Sequence, residues 1–385
     1  MTSSLRWSLI DCETHHGAPE AFPESIAAAN GHFRLHWEKL SGGLREGVHV
    51  LTVDTGAVRV AILPERGMGI WKCWRNDTEF GWQSPVRGPV HPHFVPIQDA
   101  SGIGWLEGFD ELVVRCGLES NGAPELDDRG HVRYPLHGRI ANRPAYRLTV
   151  EVDPMAGVLD VRGWVEETRF LIRSTSLMTH YQFRVNQPGI AITDTVTNLS
   201  ANATTIQLLY HINVGQPILE AGSRFFAASK KVSPRNAHAA KDIASWTTYK
   251  PPTPGYVEQV YFTQPYADAQ HWSTAMLTDS RQDQAFAVRY DTKTLPCLTL
   301  WKNTAAVEDG YVTGLEPATG FPNTRSFEEK QGRLVALASG ESKRFRLQLE
   351  PIIDGQRVRE VIQEIEAQQQ QPAEVLSEPF PQWAS

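Results

Sequence analysis

Paired β-type runs joined by short turn signals constrain this chain more than any other feature. Residues 48–63 form two such runs around Asp54-Thr55-Gly56, and residues 146–152 and 158–165 flank Asp153-Pro154-Met155-Ala156-Gly157. Between 177 and 185, Leu177, Tyr181, Phe183 and Val185 share one face while His180, Gln182 and Arg184 share the other, the period-two alternation of a half-buried strand. Residues 189–198 and 204–214 continue the pattern, and 333–338 is expected to pair with 343–350 through Ser339-Gly340-Glu341. One later segment reads as helix, since Val358, Val361, Ile362 and Ile365 recur at helical spacing after Asp354-Gly355. The Gln-rich tail beyond it is expected to be loose. An all-β protein of two large packed antiparallel sheets with a C-terminal helix follows.

All-β folds often run long as one unit, so 385 residues are read as a single domain, 1–385. Within it, 1–43 is an N-terminal extension, 44–352 the sandwich, and 353–385 the helix and tail. With 37 basic and 44 acidic residues the net charge is -7, which offers no footprint for nucleic acid or an anionic membrane. Cys12, Cys73, Cys116 and Cys297 are too scattered for a zinc ribbon or a redox CxxC motif, and a reducing cytoplasm fits them. The N-terminus lacks the pattern of a signal peptide, and no apolar run is long enough to span a bilayer. A cytoplasmic protein is expected.

Three long connections, 80–117, 215–261 and 305–330, are where a site would be built. His211 lies in a run where Gln207, Leu209, His211 and Asn213 share a face, so one strand turns several polar side chains to one surface. Histidine, with an ordinary pKa of about 6.5, can exchange protons at neutral pH, although a solvated histidine on a half-exposed sheet would look the same. Glu316 stands between Gly314-Leu315 and Pro317, where stiffened backbone would fix the aim of a base; a loop glutamate capping a turn is the plainer alternative.

His137 opens a donor-rich stretch with Arg139, Asn142 and Arg143 that suits an oxygen-rich ligand, unless its arginines merely pair with surface carboxylates. Arg66 precedes Gly67-Met68-Gly69 at a strand end where a ligand could approach, and Arg115 closes a stretch that holds Trp105 and Phe109. Aromatic faces beside polar groups match the C–H face and hydroxyl rim of a sugar, and equally match a core. His91 and His93 have a spacing that could begin a metal site, but no third ligand follows, and His15-His16 is weaker still. No phosphate-cradling glycine loop and no GxSxG elbow occur, so neither a nucleotide cofactor nor serine hydrolysis is expected.

The order of Arg66-Gly67, Leu136-His137-Gly138-Arg139, Thr197-Asn198 with Tyr210-His211, and Gly314-Leu315-Glu316-Pro317 resembles the galactose mutarotase-like superfamily over residues 44–352. The resemblance is to a branch distinct from typical galactose mutarotases. It implies a β-supersandwich with a sugar cleft and metal-free acid/base chemistry at the anomeric carbon, without a cofactor. By position, Glu316 matches the family's base, His211 its acid, and His137 the histidine that contacts the ring oxygen or a neighbouring hydroxyl. The arginine of such a site would be one of Arg66, Arg115, Arg139 and Arg143, and Asp242 is the candidate sugar-binding aspartate.

Ile212-Asn213-Val214 departs from the family's aromatic continuation, which leaves the sugar open between a neutral, an acidic and a phosphorylated one. The expected function is therefore an aldose 1-epimerase-like isomerase of a monosaccharide. Its alternatives are a non-catalytic carbohydrate-binding protein, or a sugar isomerase or lyase on the same scaffold. Asn213 and Trp105 join the arginines as expected substrate contacts.

Overall fold

Along strand Arg173–Arg184, Leu177, Thr179, Tyr181 and Phe183 are fully buried while Met178, His180 and Gln182 are half-buried, the outcome its alternation predicts. Its neighbours Val158–Arg169 and Ile190–Asn198 place Val161 and Ile192 opposite Tyr181, building a continuous apolar face. The computed structural model describes residues 4–14 and 21–384. Among them, nine strands form one sheet in the order Leu5–Asp11, Ala145–Asp153, Val158–Arg169, Arg173–Arg184, Ile190–Asn198, Ser342–Ile352, Ala285–Asp291, Trp272–Thr278 and Arg224–Ala227.

The second sheet begins with Ile26–Ala28, Gly31–Lys39, His49–Asp54, Arg59–Leu63 and Gly69–Arg75. Five strands that follow carry the site and are labelled here in chain order: β1 (Val113–Leu118), β2 (Thr204–Val214), β3 (Gln259–Pro265), β4 (Cys297–Asn303) and β5 (Val312–Ala318). They lie side by side as β1-β2-β5-β4-β3. One core fills the space between the sheets, with Val161, Tyr181, Phe183 and Phe345 from the first and Tyr210, Ile212, Leu300 and Leu315 from the second. Each such side chain contributes about 1.5–3 kcal/mol by leaving water.

The turn at Asp54-Thr55-Gly56 joins its hairpin as expected, and helix Gly355–Gln368 starts at Asp354, whose carboxylate accepts from the Gln356 N–H at 2.9 Å. Three expectations change. Strand Val335–Leu337 pairs with β2 rather than with Ser342–Ile352, so the turn after it carries the chain from one sheet to the other. A period-two pattern fixes a strand's faces but not its partner. Strands Leu5–Asp11, Ile26–Ala28 and Gly31–Lys39 belong to the two sheets instead of standing outside them. The tail is docked: Glu374–Val375 adds a parallel strand to Ser229–Pro234, and Trp383 packs on Phe321. No helix among the described residues is long and apolar enough to cross a membrane.

Candidate active site

Residues of β2 alternate between two environments. Tyr210 and Ile212 enter the core between the sheets, while Leu209 joins a second apolar cluster with Trp82, Trp105, Phe109, Val114, Cys116 and Ala318 on the opposite face. His211 projects toward this second face, with Phe109 and Trp301 edge-on to its ring at centroid distances of 5.2 and 5.3 Å. Glu316 comes from the middle of β5, the next strand, and not from a loop. The ladder joins Leu209 to Ala318 and Ile212 to Leu315 but is open between them, where Pro317 has no N–H to give.

His211 Nε2 lies 3.2 Å from Glu316 Oε1. Gly314 makes that approach fit, since a Cβ there would stand 2.6 Å from the same oxygen and 3.1 Å from His211 Cε1.

His137 arrives from the turn before Ile140–Asn142, in the left-handed region at φ 56, a conformation that non-glycine residues seldom adopt and that active sites often hold. Gly138 follows at φ 73, where a side chain would collide with the Ser120 and Gly117 carbonyls. His137 Nδ1 donates to the Asn121 carbonyl at 3.0 Å, which leaves Nε2 to face the cavity. Its ring is 5.3 Å from that of His211 and 4.6 Å from Trp105. So three residues from distant stretches meet at one cavity of about 290 Å³, lined also by Leu136, Arg235, Glu258, Val260 and Thr299. That is near the small end for ligand pockets, which run from about 300 to 1,000 Å³.

Asn213 settles which nitrogen of His211 carries the proton. Its amide N–H₂ donates to the Glu111 and His211 carbonyls at 2.9 and 3.2 Å, so its Oδ1 faces His211 Nδ1 at 2.5 Å and can only accept. Nδ1 is therefore the N–H, and Nε2 presents a lone pair to Glu316 in the neutral ring. Burial drives both imidazoles toward neutrality, lowering His211 to about 3 and His137 to about 4. Burial, seconded by the Glu258 charge, holds Glu316 well above the ordinary carboxylate range. Glu316 Oε1 is buried with no hydrogen-bond partner and has only the Nε2 lone pair before it, so a single proton between the two groups would serve both.

The arginines fall elsewhere. Arg66 is buried, donating to Glu111 at 2.7 Å, to the Gly108 carbonyl at 2.8 Å and to Asn142, so it braces the turn that presents Phe109. Arg115 points into the space between the sheets and grips Asp194 with two donors, at 2.5 and 3.1 Å. Arg139 is engaged by Glu119 at 3.1 Å, and Arg143 does not line the cavity. Asp242 lies in a separate hollow, accepting from Lys250 and Gln259. The expectation that Arg66, Arg115, Arg139 or Asp242 lines the pocket is thus corrected: each is spent on a partner outside it.

Asn213 acts on His211 rather than facing the cavity, while Trp105 does line it. His91 stands at the head of a short turn, its Nδ1 accepting from the His93 N–H at 3.2 Å, and no cluster of three or more His, Cys, Asp or Glu among the described residues is arranged to hold a metal. His15 and His16 lie outside the described residues.

Sequence reading missed Arg235, Glu258 and Trp301. The first two lie in 215–261, a stretch expected to be one long connection but holding strands Arg224–Ala227 and Ser229–Pro234, with Arg235 directly after the second. Trp301 alternates with Leu300 along β4, but only the sheet order reveals that its face is that of Glu316.

Paired sheets of this size and a cleft on the outer face of one define a galactose mutarotase-like β-sandwich. Within that class the chain belongs to the family described as "Domain of unknown function (DUF4432)", which matches residues 45–350. A "putative aldose 1-epimerase" from Klebsiella pneumoniae subsp. pneumoniae MGH 78578 is 33% identical over 98% of this chain and 99% of its own, with a TM-score of 0.92. A galactose mutarotase-like protein from Clostridium acetobutylicum (13% identical, 82% of this chain and 98% of that one, TM-score 0.55) shares the fold. So does a galactose 1-epimerase from Lactobacillus acidophilus NCFM (11%, 83% and 99%, TM-score 0.52). No curated protein matches the chain.

Proposed function

We propose that this protein interconverts the anomers of a monosaccharide by acid/base ring opening at C1, with Glu316 as base, His211 as acid and His137 as a hydrogen-bonding contact to the sugar. The observation that carries this reading is the 3.2 Å separation of His211 Nε2 and Glu316 Oε1 inside an aromatic pocket. The hydroxyl oxygen and ring oxygen of a cyclic sugar are bonded to the same carbon. An acid and a base that serve them must therefore converge on neighbouring points, as these atoms do.

One proton shared by the dyad is enough for the cycle. With that proton on His211, the Glu316 carboxylate takes the proton of the C1 hydroxyl as the C1=O bond forms and the bond from C1 to the ring oxygen breaks. His211 gives its Nε2 proton to the departing ring oxygen. The aldehyde turns about the C1–C2 bond and the same steps run backward, restoring both groups. Trp105, Phe109 and Trp301 supply apolar faces for the sugar's C–H groups and keep water out.

The test is anomer exchange followed by NMR across a panel of aldoses. Glu316→Gln is expected to lower turnover about a hundredfold or more, the usual share of general base catalysis. Unchanged exchange in that variant would refute the mechanism. Solvent deuterium appearing at a sugar carbon would redirect the same residues to an isomerase or lyase, because ring opening exchanges hydroxyl protons only.

A further inference from the structure

Arg235 is the arginine that lines the cavity, and its half-buried guanidinium makes no hydrogen bond or ion pair with any described residue. The arginines the sequence offered are committed elsewhere: Arg66 to Glu111, Arg115 to Asp194, and Arg139 to Glu119. Glu258, the nearest lining carboxylate in sequence, is turned to the Trp301 indole N–H at 2.6 Å and forms no ion pair with it. The backbone beneath Arg235 is fixed on both sides. Its N–H donates to the Val260 carbonyl at 2.9 Å, and the Asn236 side chain caps the next turn by accepting from the Ala239 N–H at 2.9 Å.

An arginine drawn partly from water without a partner has lost solvation that only an incoming acceptor restores. Its planar fork matches a carboxylate with two parallel hydrogen bonds. The other ionisable groups at the cavity do not supply that acceptor: burial drives both imidazoles toward neutrality and raises Glu316, while Glu258 is engaged by the Trp301 indole and stands on the same wall, where its carboxylate disfavours a doubly charged group.

We propose that the pocket takes a sugar bearing a single carboxylate, of the hexuronate class, with Arg235 holding that carboxylate while C1 faces Glu316 and His211. The inference rests on the anomer-exchange reading of the same pocket and names its substrate class. Arg235 thereby discriminates between sugars that differ only in the group they carry at C6.

The experiment compares glucuronate with glucose, galacturonate with galactose, and both uronates with glucose 6-phosphate. Anomer exchange gives kcat/KM, and equilibrium titration of the wild-type protein gives binding; exchange consumes no sugar, so the titration is direct. Each uronate is expected to exceed its neutral parent about ten- to a hundredfold in both readouts, the range of a charge-assisted contact. Arg235→Gln should bring that ratio to within about twofold, and Arg235→Lys, which keeps the charge but loses the fork, should retain part of it.

Equal use of neutral and acidic sugars by wild type would overturn the proposal. A uronate preference that survives Arg235→Gln, or a preference for the phosphate over the uronates, would do the same. If no sugar is anomerised, the functional reading fails while the titration still decides the charge preference. Uronates that do not bind would end the inference.

Discussion

Tyr210 and His211 are consecutive residues of one strand, yet they enter two buried polar clusters that are finished in opposite ways. Tyr210 donates to Asp194 at 2.8 Å, Arg115 holds both oxygens of that carboxylate, and Arg115 also reaches the Met68 carbonyl at 2.7 Å and Tyr181 at 3.1 Å. Every group in that cluster has a partner, and the ion pair ties the two sheets together. Across the strand, Glu316 Oε1 has only the lone pair of His211 before it, His137 Nε2 faces open cavity, and Arg235 faces it too. A buried polar cluster that is fully satisfied serves the fold, while one left with unused donors and acceptors is where a ligand can complete the set.

The largest effect expected from breaking this contrast lies on the satisfied side. Asp194→Ala leaves the Arg115 charge buried without its partner and should lower the unfolding free energy by about 3–5 kcal/mol in urea titrations. A loss under about 1 kcal/mol would mean the pair contributes little to joining the sheets.

A smaller loss is expected from Asn213→Ala, which strips His211 Nδ1 of its acceptor and should cost about 1–3 kcal/mol. This variant sharpens the contrast, because Asn213 is the satisfied component inside the unsatisfied site. Nitrogen NMR of His211 should show the Nδ1–H tautomer dominant in wild type and depleted in the variant. An unchanged tautomer would show that something other than Asn213 orients the ring.

The smallest effect concerns pH and Glu316. Its folded-state pKa is raised above the ordinary 4.5, so the stability it contributes is fully present below that value and is lost as pH rises toward the folded value. Glu316→Gln, a neutral isostere, escapes the loss, and its stability relative to wild type should climb as pH is raised above 4.5. The histidines act in the other direction. Their pKa values fall from 6.5 to about 3 and about 4 on folding, so their contribution is intact above 6.5 and is lost as pH drops through the folded values. Urea titrations across this range read both, and a parallel pair of stability curves would contradict a raised pKa for Glu316 in the folded protein.

Local pattern explains what could be read in advance. The Asp54-Thr55-Gly56 hairpin and the helix from Gly355 depend on neighbours a few residues apart, and both formed where periodicity placed them. Strand 204–214 was equally legible, including the shared face of Leu209, His211 and Asn213. Which sheet a strand joins was not, because the docking of Val335–Leu337 on β2 depends on contacts more than a hundred residues away. The arginines show the same limit: Arg66, Arg115, Arg139 and Arg235 look alike as donors in sequence. Only the positions of Glu111, Asp194 and Glu119 reveal that three are taken and one is not. His137, His211 and Glu316 stood out through the order of their motifs, and the geometry adds the fixed tautomer and the open ladder at Pro317.

The proposed mechanism requires Glu316 and His211 to work as one unit around a shared proton. Anomer exchange measured for Glu316→Gln, His211→Asn and the double variant tests it, since groups that act together show strongly non-additive losses. Each single change is expected to cost about a hundredfold or more, with the double variant no slower than the worse single one. Losses that multiply in the double variant, or an undiminished rate in either single one, would contradict it.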